Sequence, residues 1–183
     1  MSPTKLLAAA LLATLVACAG WAEAAPRAAR PASAGAAHAG AAAQDVRDPA
    51  TLIAALAPLG AKAAVARREG DSVFLTVSSP AESFSAQFAG CDAQGRACQA
   101  VLFDALGQAG APTSAQLNAF NQTSVMCRLY EDKSGRPHVE YSTLLFARDG
   151  RAELTTHLGA WRGCLGDFAA FQKDPAGFLA GAP

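Results

Sequence analysis

The residues of this sequence that could do chemistry are few, and the cysteines are the most informative of them. Cys91 and Cys98 stand at the two ends of a short loop, and an alternating apolar and polar segment lies on either side. Six residues separate the two cysteines, whereas thiol oxidoreductases use a C-x-x-C spacing. We therefore expect Cys91 and Cys98 to form a structural disulfide, as a staple at a sheet edge, and not a redox site.

A cysteine nucleophile would need a histidine close by to act as its base. Cys127 with His138 or His157 is the pairing that this sequence offers. His138 follows Pro137 at a predicted hairpin, and His157 lies in the first turn of a predicted helix, so we expect both to be exposed. The sequence therefore predicts a protein that is not an enzyme, and it assigns no catalytic residue.

The spacing of the other candidate ligands does not favour a metal or cofactor site. Zinc sites use close ligand pairs such as C-x₂₋₄-C, and His138-x-Glu140 alone better fits the outward face of a strand. Glu131 and Asp132 are adjacent and so point to opposite sides of a strand, which fits solvated charges beside a turn. No glycine-rich loop leads from a strand into a helix as phosphate binding requires. We expect neither a metal ion nor a cofactor.

The first 24 residues have the features of an export signal. Lys5 is followed by an apolar run over residues 6–16, which is too short for a bilayer that needs about 20 apolar residues. Residues 22–24 are Ala-Glu-Ala, a site for ordinary signal peptidase. Alternatively, residues 15–18 resemble a lipobox, with a signal over residues 1–17 and lipidation at Cys18. The protein is thus expected to be periplasmic or secreted, or anchored by lipid to the outer membrane.

Residues 25–44 are interpreted as a disordered linker rich in Ala, Pro and Gly, in which His38 is solvated. They include no large apolar residue and so cannot offset the entropy of ordering the chain. Without Cys18, four cysteines remain, an even number that predicts two disulfides in an oxidising compartment. We favour Cys91–Cys98 and Cys127–Cys164, and two buried free thiols are the alternative for the second pair.

Charge and length limit the classes of partner. Lys and Arg together number 15, as do Asp and Glu, and no basic cluster occurs along the chain. Binding to a phosphate backbone or to anionic lipid depends on clustered cations, so neither nucleic acid nor a membrane surface is an expected partner. Residues 45–175 are long enough for one folded domain, and residues 176–183 are expected to form a flexible tail.

The hydrophobic pattern of residues 45–175 predicts an α+β domain with the order α-β-β-β-β-α-β-β-α, an antiparallel sheet and helices on one of its faces. Asp48-Pro49 favours a helix start, and Thr113 to Gln116 fits a capping box. The predicted strands cover residues 63–69, 73–77, 83–88, 99–104, 125–132 and 139–146. The first four are predicted to form an antiparallel meander.

The last helix is predicted over about residues 156–173, with an apolar stripe at a spacing of three and four. The stripe consists of Leu158, Trp161, Leu165 and Phe168. Gly159, Gly163 and Gly166 weaken this helix by about 1 kcal/mol each relative to Ala. We expect a close approach of the helix to the sheet to explain these glycines, and a kink is the alternative.

Four segments in this order resemble the YbjN family, which is described as bacterial sensory-transduction regulators. The resemblance covers residues 52–171. The four segments are Phe88-Ala89-Gly90-Cys91 with Cys98 and the strand after it, Leu117 to Asn121 with its aromatic residue before Asn, Arg128 to Pro137 with its acidic Gly/Pro hairpin, and the closing helix with Trp161 and Phe168.

The resemblance implies a fold similar to that of type III secretion chaperones, which bind extended polypeptide segments and often form homodimers. It carries over no catalytic residue. The leading hypothesis is an exported, non-enzymatic binding or regulatory module of the bacterial envelope, which engages a protein or peptide through a sheet edge or a helix-lined groove. A small-molecule or lipid-binding domain is the alternative, and an enzyme that uses Cys127 with a histidine is a third hypothesis.

Overall fold

The computed structural model describes residues 45–80, 82–108 and 112–182. The predicted signal and linker, with Cys18 and His38, lie outside the described residues. Within the described ranges, no helix is both long enough and apolar enough to cross a membrane.

Strands of the domain form a single antiparallel sheet. They are β1 Lys62–Glu69, β2 Ser72–Ser78, β3 Ser83–Ala89, β4 Ala100–Leu106, β5 Arg128–Glu131 and β6 Pro137–Leu144. Their order in the sheet is β1-β2-β3-β4-β6-β5. The first four strands follow one another as the predicted meander, and the hairpin of β5 and β6 joins the sheet through the pairing of β6 with β4.

Helices accompany this sheet at the predicted places and at one further place. They are α1 Pro49–Leu56, α2 Ser114–Thr123, α3 Arg151–Lys173 and α4 Pro175–Gly181, and a 3-10 turn over Ala57–Leu59 follows α1. The predicted α+β class is confirmed, while α4 is an addition to the predicted order.

Side-chain caps explain where α1 and α2 begin. The Asp48 carboxylate accepts from the Ala50 N–H at 2.9 Å, and Pro49 occupies the first helical position. At α2, Thr113 Oγ1 accepts from the Gln116 N–H, and Gln116 Oε1 accepts from the Thr113 N–H at 2.9 Å. These bonds satisfy N–H groups that a helix start leaves without partners, so both predicted starts are confirmed.

The last long helix starts earlier than predicted, at Arg151. Glu153 Oε2 accepts from the Gly150 N–H at 2.8 Å, which caps a turn that the apolar stripe alone does not indicate. The added turn buries Leu154. The predicted stripe is confirmed, because Leu158 and Trp161 are among the core residues of α3.

The start of β5 also differs from the prediction. The strand was predicted over residues 125–132 and covers only Arg128–Glu131. Ser124 Oγ accepts from the Cys127 N–H at 3.1 Å, which holds the chain in a turn directly before the strand. Val125 and Met126 therefore lie outside the sheet.

A helix, α4, occupies most of the range predicted as a tail. The Asp174 carboxylate accepts from the Gly177 N–H at 2.9 Å, and Pro175 stands at the first helical position. Phe178 packs on Phe120 and Phe171, with ring centroids 5.5 and 5.6 Å apart. These contacts bury apolar surface and fix the end of the chain against α2 and α3.

The core lies between the helices and one face of the sheet. Trp161 of α3 stacks on Phe103 of β4 at 5.7 Å and meets Phe84 of β3 edge-on at 5.5 Å. Trp161 and Phe103 are fully buried, so this aromatic group joins α3 to the two central strands.

The α3 glycines do not mark a close approach to the sheet, contrary to the prediction. A Cβ atom added at Gly159, Gly163 or Gly166 would meet no atom within 4 Å. All three positions are exposed, so they face away from the packed side of the helix.

Both disulfides have the pairing that we favoured from the sequence, Cys91–Cys98 and Cys127–Cys164. The first closes the connection of β3 and β4, which are interior strands, so the expected position at a sheet edge is wrong. The Cys98 N–H donates to the Arg47 carbonyl at 3.0 Å and ties this loop to the segment before α1. Two disulfides are consistent with an oxidising compartment outside the cytoplasm.

Candidate functional site

Cys127 and the histidines of the third hypothesis, the Cys/His enzyme, are engaged in other contacts. Cys127 is bonded to Cys164 and so has no thiol in this structure. Both histidines were expected to be exposed, and neither of them is. The His138 side chain is only 14% exposed, and His157 is half-buried with Nδ1 2.8 Å from the Tyr141 hydroxyl.

His138 belongs to a polar cluster on the sheet face that the helices leave open. Its Nδ1 lies 3.0 Å from an Asp104 carboxylate oxygen, and the Tyr130 hydroxyl donates to the same carboxylate at 2.9 Å. The Tyr130 ring stacks on His138 with centroids 4.7 Å apart. Burial, followed by the hydrogen bond to Asp104, raises the pKa of Tyr130, so the phenol stays protonated and remains a donor.

Two further carboxylates border this cluster. Asp132 accepts from the backbone N–H of Arg136 and from its guanidinium, and these bonds lower the pKa of Asp132. Burial and the nearby charge of Asp104 raise the pKa of Glu140. Asp132 therefore organises the turn between β5 and β6, in agreement with its predicted place beside a turn. The cluster's polar groups satisfy one another, which fits a role in holding β4, β5 and β6 together.

Among the residues that the structure describes, no group of three or more His, Cys, Asp and Glu side chains is arranged to hold a metal ion.

The edge of the sheet at β5 is already covered by a side chain from α2. Asn121 Nδ2 donates to the Leu129 carbonyl at 2.9 Å, and Asn121 Oδ1 accepts from the Leu129 N–H at 2.7 Å. The amide thus imitates the pairing of a neighbouring strand and blocks the addition of another. The opposite edge strand, β1, carries charges at Lys62, Arg67 and Glu69, and charges at an edge also discourage pairing.

A cleft at the end of the domain joins the C-terminal turn of α2, the connection to β5, α3 and α4. We call it the α2–α4 cleft, and its volume is about 500 Å³. Its walls include Phe120, Ser124, Val125, Met126, Asp167 and Phe178.

Two apolar side chains at the rim of the α2–α4 cleft are exposed to solvent. Val125 is 88% exposed and Met126 is 53% exposed. The turn that carries them is fixed by the bond from Cys127 N–H to Ser124 Oγ, by the Cys127–Cys164 disulfide, and by the Arg128 guanidinium, which donates to the Ser124 carbonyl at 2.8 Å. A rigid frame therefore presents apolar surface to the solvent.

The floor of the α2–α4 cleft is aromatic, and its charge is acidic. Phe120 contacts Phe171 at 5.1 Å between ring centroids, and Phe178 closes the group from α4. Asp167 of α3 is the charged residue among those that line the cleft. Neither Val125 nor Met126 was predicted to be a binding residue, because both were expected to lie in a strand. The Asp174-Pro175 pair could have revealed α4, because it repeats the Asp48-Pro49 signal.

Comparison of the sequence with protein-family models finds no match, and comparisons with curated proteins and with solved structures also find none.

Proposed function

We propose that this chain is an exported, non-enzymatic binding module of the bacterial envelope that holds an extended protein or peptide segment in the α2–α4 cleft. The observation that carries the proposal is the exposure of Val125 and Met126 on a fixed turn at the rim of this cleft. Contiguous exposed apolar side chains commonly mark interaction surfaces, because their burial in a complex removes apolar area from water.

The rigidity of the turn supports this proposal. Binding is weakened when loops must be ordered at the interface, and a preorganised surface avoids most of that cost. The Cys127–Cys164 disulfide and the capping role of Ser124 order the turn before any partner arrives. Met126 adds a flexible, polarisable side chain of the kind used at adaptable binding surfaces.

The chemistry of the cleft indicates which partner it fits. A volume of about 500 Å³ accommodates one or two apolar side chains. Asp167 favours a Lys or Arg next to these apolar residues in the partner. Asn121 covers one sheet edge and charges line the other. The α2–α4 cleft is therefore a better surface for a partner than either edge of the sheet.

We also propose that the domain is YbjN-like and has a chaperone-like fold. The protein is then located in the periplasm or secreted, or it is anchored through Cys18. The two disulfides and the resemblance over residues 52–171 support it. The mass of the mature N-terminal peptide from the native host distinguishes the two routes. Cleavage after residue 24 gives an unmodified start at Ala25, whereas lipoprotein processing gives a lipidated Cys18.

A displayed peptide library tests the binding proposal. The full-length chain should select peptides that share an apolar residue beside a basic one. Met126→Asp should reduce the affinity for these peptides at least tenfold, because it places a charge among apolar contacts. Leu144→Asp is the matched control, since Leu144 is a similarly exposed apolar residue at 61% that does not line the cleft.

Equal loss of affinity in both variants, or no loss in Met126→Asp, would rule out the α2–α4 cleft as the peptide site. Light scattering of the full-length chain tests the competing occupant, a second copy of the protein. A dimer that dissociates in Met126→Asp and persists in Leu144→Asp would assign the cleft to self-association instead.

A further inference from the structure

A second, smaller cleft lies between the end of α1, the connection of β2 with β3, and α3. We call it the Trp161 cleft, and its volume is about 190 Å³. Its apolar walls are formed by Leu56, Leu59, Phe84 and Leu158. Trp161, Glu82 and Arg162 also line it, so a donor, an acceptor and a cation accompany these apolar walls.

Two of these polar groups are buried without a partner. Within the described residues, Trp161 Nε1 and one Glu82 carboxylate oxygen, Oε2, have no hydrogen-bond partner although both atoms are buried. The Trp161 side chain is 1% exposed. An unpaired buried polar group costs about 1–3 kcal/mol, and native proteins retain few of them without a reason. The residues that carry this donor and this acceptor, Trp161 and Glu82, line the same cleft.

The pattern of charge specifies the complement that a ligand must carry. A ligand that pairs with Glu82 must carry a cationic donor. A ligand that accepts from the Trp161 N–H and the Arg162 guanidinium must carry an anionic acceptor. The apolar walls call for an aliphatic body between or beside these groups. A volume of about 190 Å³ corresponds to roughly six water molecules, which is well below the size of a drug-like site. A ligand that fits all of these groups is therefore small and zwitterionic, with one apolar side chain.

We propose that the Trp161 cleft binds a free α-amino acid with an apolar side chain, whose ammonium group pairs with Glu82 and whose carboxylate accepts from the Trp161 N–H and the Arg162 guanidinium. The side chain packs on Leu56 and Leu158. This site is separate from the α2–α4 cleft and adds a small-molecule ligand to the proposed peptide-binding function. The two sites share no lining residue.

L-Leucine is the probe, titrated into the full-length chain by calorimetry. The amino acid should bind saturably, and three analogues should each bind at least tenfold more weakly. These are 4-methylpentanoate without the amine, 3-methylbutylamine without the carboxylate, and glycine without the apolar side chain. Each omits one group that the cleft is proposed to recognise. No saturation by about 10 mM L-leucine, or equal binding of 4-methylpentanoate, would overturn the proposal.

Variants locate the site. Glu82→Gln should weaken L-leucine binding at least tenfold, and Glu69→Gln, at an exposed glutamate outside the cleft, should leave it unchanged. Trp161→Phe removes the indole N–H, but its burial also gives it a structural role, so Glu82→Gln is the deciding variant. Unchanged binding in Glu82→Gln would overturn the assignment.

The indole N–H of Trp161 gives an independent readout by NMR. The chain has two tryptophans, so Trp161→Phe assigns its resonance directly. L-Leucine should shift this resonance with the same saturation as the calorimetric signal. A calorimetric signal that saturates while the Trp161 indole resonance stays in place would overturn the proposal.

Discussion

The α2–α4 cleft and the Trp161 cleft use the same helix, α3, for opposite purposes. Asp167 of α3 lines the first cleft, while Leu158, Trp161 and Arg162 of α3 line the second. At the first, apolar side chains stand in solvent and the polar backbone around them is satisfied. At the second, Leu56 and Leu158 are buried and Leu59 is 59% exposed, and polar atoms are buried without partners.

The two clefts therefore favour ligands of different kinds. Exposed apolar area is corrected by a broad contact that excludes water, which a polypeptide supplies. Orphaned donors and acceptors are corrected by a few well-placed hydrogen bonds, which a small polar molecule supplies. The Cys127–Cys164 disulfide lies at the first cleft only, so its removal should separate the two sites.

Replacing both cysteines of the second disulfide should have the largest effect. The Cys127→Ala/Cys164→Ala variant should lose about 4 kcal/mol of unfolding free energy, since the bond closes a loop with a sequence separation of 37 residues. The Cys91→Ala/Cys98→Ala control, with a separation of 7, should lose about 2.5 kcal/mol. Denaturant titration measures both.

Ligand binding by the same disulfide variants should differ between the two clefts. Under conditions where each variant is folded, loss of Cys127–Cys164 should weaken peptide binding, because the turn with Val125 and Met126 is no longer fixed. L-Leucine binding should persist. Weaker peptide binding in the Cys91→Ala/Cys98→Ala variant alone would contradict the role given to the second disulfide.

The second largest effect is expected from Phe178→Ala. Phe178 is half-buried against Phe120 and Phe171, so the substitution should cost about 2–3 kcal/mol, below the range for a fully buried phenylalanine. It removes part of the floor of the α2–α4 cleft and should weaken peptide binding while it spares L-leucine binding. Thermal unfolding and the two titrations test this. A loss below about 0.5 kcal/mol would show that α4 is not packed as described.

The exposed glycines of α3 allow the shared helix to be stabilised without contact with either cleft. Gly159→Ala and Gly163→Ala should each raise the unfolding free energy by about 0.5–1 kcal/mol, since alanine loses less backbone entropy and meets no atom within 4 Å. Binding at both clefts should stay unchanged. Gly107→Ala is the opposite control, because its Cβ would collide with Phe168 and Gln172. Destabilisation by Gly159→Ala would mean that this face of α3 is packed.

The smallest effect concerns the polar cluster on the open sheet face, which is predicted to support the fold and neither cleft. The Glu140 pKa is raised from its usual 4.5 by burial and by Asp104, so the folded state binds this proton more tightly than the unfolded state. The resulting destabilisation is absent below pH 4.5 and grows as the pH rises through the raised pKa.

Glu140→Gln should therefore stabilise the protein at neutral pH, by less than about 1 kcal/mol because solvent screens a partly exposed group. The gain should vanish near pH 3, at about which both states are protonated. Denaturation curves at the two pH values test this, with Glu69→Gln as the exposed control. A gain that is equal at both pH values would contradict the electrostatic cause.

Local signals predicted the fold well where the relevant interactions are close in sequence. Asp48 and the Thr113–Gln116 pair cap helices within four residues, and the alternation of residues 83–88 requires only that one face of the strand be buried. The meander followed from such signals. Cysteine parity added the one long-range restraint that the sequence could supply.

The candidate site was not predicted because it depends on a contact between residues that are far apart in the sequence. Val125 and Met126 have the apolar character of a strand, and only the turn at Ser124 with the disulfide to Cys164 displaces them from the sheet. The orphaned atoms of Trp161 and Glu82 depend on three-dimensional packing and leave no pattern in the sequence. The glycines of α3 were assigned a packing role because spacing alone does not say which helix face is exposed.

NMR of the Met126 methyl group and the Trp161 indole in one sample shows whether a bound peptide occupies the α2–α4 cleft. The full-length chain has two methionines and two tryptophans, so Met126→Leu and Trp161→Phe assign both probes. On titration with a library-selected peptide, the Met126 methyl resonance should shift saturably while the Trp161 indole resonance stays in place. A peptide that binds without moving the Met126 resonance would contradict the assignment of the α2–α4 cleft as the polypeptide-binding site.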